Sequence, residues 1–344
     1  MIRVAINGYG RIGRCLVRAI HERGLEKQIC VVAINDLTDF PVLVHLTRHD
    51  TTHGHFAVPV TLDGDSMQIG SWSIRMSKEK DPARLPWQSS DVDIALECSG
   101  KFKTRSALSA HLDAGARRVL ASFPVADADR TVVYGVNHQT LKDSDLVVSN
   151  ASCTTNCLAP LVKVLDDAFG FEQGQMTTIH AYTNDQNLID KAHNDFYRAR
   201  SATMSMIPTK TGAAQAVGLV LPHLKGRLDG MAIRVPTLNV SMVDLHCLQA
   251  KEVSAEQINT ALRDAAAGSL QGILGVNEEP LVSWDFNHNP LSSIVDLAQT
   301  RVMGRQVKVM SWYDNEWGFT NRMIDVISEM GQRVGADPGQ KNGL

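Results

Sequence analysis

Short apolar runs separated by amphipathic stretches fill the first 150 or so residues. Val4 to Asn7, Ile29 to Ile34, Val92 to Cys98 and Val119 to Ser122 each read as a strand buried on both faces. Between the first two runs, Ile12, Cys15, Leu16, Ala19 and Ile20 recur at helical spacing, which predicts a helix burying one stripe. Strand, turn, helix, strand in that order predicts an α/β fold with an N-terminal Rossmann-type parallel sheet.

The second half has another rhythm. After Cys153, the residues Leu158, Leu161, Val162, Leu165, Ala168 and Phe169 form one apolar helical face, closed by Gly170. Met176 to His180, Met231 to Val235, Val240 to Leu248 and Val307 to Trp312 read as strands, and Ala255 to Ala266 as a helix. That mixture predicts an α+β catalytic domain carrying a mixed or antiparallel sheet. The stretch from Ala181 to Thr211 is long, polar and weakly periodic, as functional loops are. A last helix runs from Glu316 to Met330, and a Gly, Pro and polar tail follows from Gly331. The expected division is residues 1–152 with 315–331 as the nucleotide domain, 153–314 as the catalytic domain, and 332–344 as a mobile tail.

Composition narrows the function classes. A chain of 344 residues has room for two cores. With 34 basic against 37 acidic residues and no Lys/Arg-rich run, nucleic acid is not expected as the primary partner. Six cysteines without a CxxC pair, and without histidines at ligand spacing, predict neither a disulfide framework nor a metal site. A reducing, cytoplasmic setting is expected, with no secretion signal and no membrane span.

Gly8, Gly10 and Gly13 form G-x-G-x-x-G at the predicted strand-to-helix junction, where missing side chains admit a pyrophosphate to the helix N-terminus. Asp36 closes the second predicted strand, where an acid accepts from the adenosine ribose and favours NAD. Turn glycines and a capping aspartate are the bland alternative; their combination in one βαβ unit favours the cofactor.

Cys153 falls where a strand passes into a helix, so the positive helix terminus would stabilise its thiolate. Cys157, one turn on among apolar neighbours, reads as a buried small residue. His180 ends a strand and is placed to serve as the base, but the sequence holds twelve histidines, and the choice among them comes from a resemblance.

That resemblance rests on long ordered segments: NGYGRIGR (7–14), SNASCTTNCLAPL (149–161), IHAYTNDQ (179–186), IPTKTGAAQAV (207–217), GMAIRVP (230–236) and SWYDNEWG (311–318). They resemble the glyceraldehyde-3-phosphate dehydrogenase family over nearly the whole chain. The resemblance implies a phosphorylating aldehyde dehydrogenase with Cys153 as nucleophile and His180 as general acid and base. It implies anion sites sharing Arg234, with Thr183 and Asp185 toward the substrate phosphate and Ser152, Thr154, Thr211 and Gly212 around inorganic phosphate. For the cofactor it implies Arg11 and Ile12 near the pyrophosphate, Ser99 and Ser122 along the dinucleotide, and Asn315 on the nicotinamide carboxamide. A homotetramer is implied as well.

Two departures matter. Lys191 and Ala192 stand where NAD-specific relatives carry Leu-Pro; a lysine there either pairs with the 2'-phosphate of NADP, permitting some NADP use beside the NAD preference set by Asp36, or is a solvated loop lysine. The segments SFPV (122–125), VVYGVN (132–137) and DFNHNPLSSIVDLAQTRV (285–302) resemble the sister erythrose-4-phosphate dehydrogenase instead. That enzyme is the alternative substrate reading. A catalytically silent NAD-binding protein is the alternative of another class.

Overall fold

The structure, a computed structural model, describes residues 1–333. The expected mobile tail therefore lies, from residue 334 on, outside the described residues. The chain forms two compact units. Among the described residues one holds 1–132, 138–151 and 320–333; the other holds 133–137 and 152–319. The return crossing falls at Thr320 rather than at the expected 315. The short segment 133–137 joins the second unit because Gly135 (φ +86°) packs against it: a Cβ there would lie 2.5 Å from Ile273 Cδ1.

The first unit contains β1 (Ile2–Asn7), α1 (Arg11–Glu22), β2 (Ile29–Asn35), α2 (Phe40–Arg48), the hairpin β3 (His49–Asp50) and β4 (Gly54–His55), then β5 (Val60–Asp63), β6 (Ser66–Ile69) and β7 (Trp72–Ser77). It continues with β8 (Ile94–Glu97), α3 (Arg105–Asp113), β9 (Arg118–Ala121), β10 (Arg130–Thr131) and β11 (Val147–Ser149). Its main sheet runs β10-β11-β9-β8-β1-β2-β7-β6-β5. Strands are parallel from β10 to β7, and β6 and β5 extend that edge antiparallel.

Burial explains the centre. Val4, Ile6, Val31, Ile34, Ile94, Leu96, Val119 and Leu120 are buried, as are Leu16, Val17 and Ile20 on α1. Each such side chain contributes roughly 1.5–3 kcal/mol on leaving water. Trp87 fills the space left by the small residues Ala5, Ala33 and Ala95.

The second unit contains α4 (Cys153–Phe169), β12 (Phe171–Ala181), β13 (Ile207–Lys210), α5 (Ala213–Val220), β14 (Leu228–Val235), β15 (Ser241–Gln249) and α6 (Ala255–Ala267). It continues with β16 (Leu274–Asn277), β17 (Ser293–Asp296), β18 (Arg301–Met303), β19 (Gln306–Tyr313) and the start of α7 (Trp317–Gly331). Its mixed sheet runs β13-β14-β12-β15-β19-β17-β16, with β18 on β19. The Ser152 hydroxyl caps α4 by accepting from the Thr155 N–H, and Gly170 at φ +74° ends the helix. Leu158, Leu161, Val162 and Leu165 are buried as expected, but Ala168 is exposed and Phe169 only half-buried, so the apolar stripe stops a turn early.

No helix or strand forms over 182–206. The loop is tied to itself: Asp190 accepts from Arg200 at 2.8 Å and from the Ser201 N–H at 3.0 Å, and the Lys191 N–H donates to the Ala199 carbonyl. The end of the expected loop, 207–210, is the edge strand β13. No helix among the described residues is long and apolar enough to cross a membrane.

Candidate active site

In the first unit, β1, β2, β8 and β9 end in register, with Asn7 beside Asn35 and Glu97, and Glu97 beside Ala121. Ligands of parallel sheets bind outside such carboxyl ends. Gly8 leaves β1 at φ +90°, and a Cβ on it would lie 2.5 Å from the Ser99 nitrogen. A Cβ on Gly13 would lie 2.7 Å from the Gly8 carbonyl oxygen, whereas above Gly10 the space is open to 4 Å. The turn therefore needs glycine at both ends and keeps its middle bare.

No side chain caps α1, whose N-terminus carries the positive end of the helix dipole that favours an anion. The Arg11 guanidinium itself binds Asp50 in a two-pronged pair. Burial would raise the Asp50 carboxyl, but Arg11 and the N–H groups of His53 and Thr52 outweigh it and bring it down to about 2. What Arg11 can offer a pyrophosphate is thus mainly its backbone.

Asp36 is locked at the end of β2, accepting from the Tyr9 N–H at 2.8 Å and the Thr38 N–H at 2.9 Å. Each oxygen keeps capacity for a ribose hydroxyl. Ser99 donates through N–H and hydroxyl to Glu97, and the Ser122 hydroxyl bonds the Cys98 thiol. Bare glycine backbone, an uncapped helix and a fixed acid fit a dinucleotide.

In the second unit, Cys153 is the first residue of α4, and its Sγ lies 3.6 Å from His180 Nε2. His180 and Arg234 are register partners on the parallel strands β12 and β14, which brings Arg234 Nη1 within 2.6 Å of His180 Nδ1. The Ala181 carbonyl oxygen is also 2.6 Å from Nδ1, and it accepts from Arg234 Nη1 at 3.0 Å.

Nδ1 cannot serve both neighbours in one tautomer. With Nδ1–H donated to Ala181, Nε2 faces the sulfur as a base; with the proton on Nε2, Nδ1 accepts from Arg234 and Nε2–H faces the sulfur as a donor. Burial, then the Arg234 charge, lowers the imidazole to about 3, so the ring is neutral near pH 7.

The sulfur departs from expectation. Burial raises the Cys153 thiol, and Arg234, the Thr154 hydroxyl and the N–H groups at the helix start pull it back. The helix terminus alone does not hold a standing thiolate. Cys157, buried among Ser293 and Ser311, lacks the Arg234 charge and is pushed up to about 12.

Around this pair the helix starts of α4 and α5 meet, where the Thr155 hydroxyl donates to the Ala213 carbonyl at 3.3 Å. Gly212 gives α5 no side-chain cap, and the Thr211 hydroxyl accepts from the Ala213 N–H. Ser152 is half-buried at the start of α4, and the Thr183 hydroxyl makes no hydrogen bond among the described residues. The Thr154 hydroxyl is turned inward, 2.8 Å from the Tyr313 hydroxyl, which is 2.8 Å from that of Thr178. For an anion Thr154 therefore presents its backbone.

The Asp185 carboxylate pairs with Arg198, whose positive charge is the one a phosphate would meet. Arg198 is the residue missed: its charge reaches both His180 and Arg234, and it donates to Thr209 Oγ1 at 2.9 Å. Asn315 is buried, and its Oδ1 accepts from the Ser241 hydroxyl at 2.8 Å. Lys191 is exposed, with no side-chain partner among the described residues.

In the first unit the missed residue is Glu97. It is fully buried and accepts from Asn7 Nδ2 at 2.6 Å and the Ser99 N–H at 2.7 Å, with His111 Nε2 at 2.9 Å. A glutamate closing the apolar run Ile94-Ala95-Leu96 was the available signal.

Residues 2–105 match the model of the glyceraldehyde 3-phosphate dehydrogenase NAD binding domain, and residues 152–315 match that of the C-terminal domain. The chain is 57% identical over 324 residues to a glyceraldehyde-3-phosphate dehydrogenase of Pseudomonas aeruginosa, covering 94% of this chain and 96% of the relative. Similar proteins of that name from Cereibacter sphaeroides and Xanthobacter flavus are each 57% identical over 332 residues, covering 96% of this chain and 99% of the relative.

Proposed function

The chain belongs to the glyceraldehyde 3-phosphate dehydrogenase family, and from that premise we propose that it converts D-glyceraldehyde 3-phosphate, phosphate and NAD to 1,3-bisphosphoglycerate and NADH. The observation that carries the reading is the Cys153 sulfur 3.6 Å from the His180 imidazole, with Arg234 against the other ring nitrogen.

A bound nicotinamide dinucleotide would supply the hydride acceptor. The Cys153 thiol proton passes to His180 Nε2 as Sγ bonds to the aldehyde carbon, and the carbonyl oxygen takes that proton back as a thiohemiacetal hydroxyl. When hydride leaves the carbon, Nε2 removes the hydroxyl proton and the C=O bond re-forms as a thioester. A phosphate oxygen then attacks the acyl carbon, the C–S bond breaks, and Cys153 leaves as thiolate beside Arg234.

Arg234 and the starts of α4 and α5 supply fixed donors for the substrate phosphate and the attacking phosphate. Thr183, Thr211, Gly212, Ser152 and the Thr154 N–H complete them, with Asp185 acting through Arg198. The catalytically silent reading has no use for a nucleophile, base and guanidinium set together in this way.

Asp36 would repel a 2'-phosphate, which supports NAD, while the unpaired Lys191 supports some use of NADP. Leu188, Ile189, Phe196, Met204 and Met206 are at least 70% exposed together on the 182–206 loop, and apolar surface of that kind supports burial in a homotetramer. A reducing cytoplasm suits a chain that depends on a free Cys153.

One experiment tests substrate, cofactor and assembly together. Steady-state kinetics with glyceraldehyde 3-phosphate and erythrose 4-phosphate, each with NAD and NADP, is run on a species whose mass is fixed by light scattering. The expected result is a mass of four chains, highest kcat/KM with glyceraldehyde 3-phosphate and NAD, and measurable turnover with NADP. Faster turnover of erythrose 4-phosphate overturns the substrate, absence of NADP turnover removes the role of Lys191, and a monomer removes the tetramer.

A further inference from the structure

Ser241 opens β15 and is buried, and its single hydroxyl sits between two very different partners. On one side the Ala181 backbone N–H, the residue after the base, donates to Ser241 Oγ at 3.1 Å. On the other, Ser241 Oγ lies 2.8 Å from Asn315 Oδ1. A backbone N–H can only donate. Asn315 Oδ1 can only accept, so the serine hydrogen goes to it. In this arrangement the Asn315 amide turns its oxygen to Ser241 and its Nδ2 hydrogens away, where they have no partner among the described residues.

Both ends of the relay are held. Val240, next to Ser241, is at φ +67°, a left-handed conformation that costs a β-branched residue energy and persists only where its surroundings impose it. The surroundings are Asn239, fully buried, whose Nδ2 donates to Asn287 Oδ1 and to Asp314 Oδ2 at 2.8 Å each. Asp314 Oδ1 in turn accepts from the Glu316 and Trp317 N–H groups. Two bridges therefore join the same two segments, Asn239 to Asp314 and Ser241 to Asn315. The first fixes the backbone and the second orients the amide.

We propose that Ser241 is a positioning residue that presents Asn315 as a hydrogen-bond donor to the nicotinamide carboxamide oxygen, its hydroxyl hydrogen holding the Asn315 oxygen while the Ala181 N–H anchors the hydroxyl. The proposal rests on the assignment of Asn315 to the cofactor made above. Without the serine, the amide is free to turn its oxygen outward, and the cofactor then meets an acceptor where it needs a donor. Ser241 differs from a simple ladder-ending serine in that its effect on the cofactor passes through Asn315.

Calorimetric titration of NAD into four proteins tests this: wild type, Ser241→Ala, Asn315→Ala and the double variant, with Ser241→Thr as the rescue. Loss of one buried, oriented hydrogen bond predicts NAD affinity about tenfold weaker in Ser241→Ala, with Asn315→Ala at least as weak. The double variant is expected to be no weaker than Asn315→Ala alone, Ser241→Thr to return within about threefold of wild type, and the KM for NAD to rise more than kcat falls. Additive losses, or unchanged affinity in Ser241→Ala, overturn the relay while leaving Asn315 in its role. Unchanged affinity in Asn315→Ala overturns the assignment of Asn315, and the relay with it.

Discussion

Cys153→Ala loses aldehyde oxidation by on the order of 10^5-fold or more, because the thiohemiacetal and thioester have no other sulfur to form on. Cys157 cannot substitute: it is buried, its thiol is pushed up to about 12, and the Arg234 charge acts on Cys153 instead. NAD affinity stays within about twofold of wild type, since the glycine turn, the uncapped α1 and Asp36 belong to the other unit and are untouched. Stopped-flow measurement of NADH formation with parallel calorimetry checks both halves. Activity above a few per cent of wild type would require a different nucleophile.

His180→Asn keeps a planar polar group but no base, and kcat falls on the order of a thousandfold, the usual worth of a general acid and base. The same residue governs a pH effect on stability. Burial and Arg234 lower the folded imidazole from 6.5 to about 3, so the unfolded chain takes up this proton first. The neutral ring's contribution is complete above about 6.5 and is lost as pH falls through that window toward 3. The wild-type melting midpoint is expected to drop between pH 7 and pH 5 more steeply than that of His180→Asn. Parallel curves would mean that His180 titrates normally in the folded protein.

Periodicity carried the parts of the fold that bury continuous stripes. The helices α1 and α4 and the central strands were legible because Ile12 to Ile20 and Leu158 to Leu165 repeat at helical spacing and the strands are unbroken apolar runs. The antiparallel edge β5 to β7 was not, since its strands alternate apolar and polar residues over only four to six positions between the Gly64 and Gly70 turns and form no continuous apolar run. Helix α3 buries only Leu108 and His111 and so leaves little pattern to find.

The site divides along the same line. Glycines at a junction and a cysteine at a helix start are local signals, and Gly8, Gly13, Asp36 and Cys153 lie where those signals point. His180 needed the family segments, because only the register of β12 and β14 brings it to Arg234. Arg198 and Ser241 act through bonds to other segments that no local pattern announces, whereas Glu97 left one signal, an acid closing an apolar run. Asp185 and the Thr154 hydroxyl show the converse: a residue type suited to a site, turned by tertiary pairing to another partner.

The central claim is that one sulfur, at Cys153, carries the acyl group. Intact-protein and peptide mass spectrometry after mixing enzyme with glyceraldehyde 3-phosphate and NAD in the absence of phosphate tests it most directly. The account predicts one NADH formed per chain and one acyl adduct per chain, on Cys153, discharged when phosphate is added. NADH formation without an adduct, or an adduct on any other residue, would contradict it.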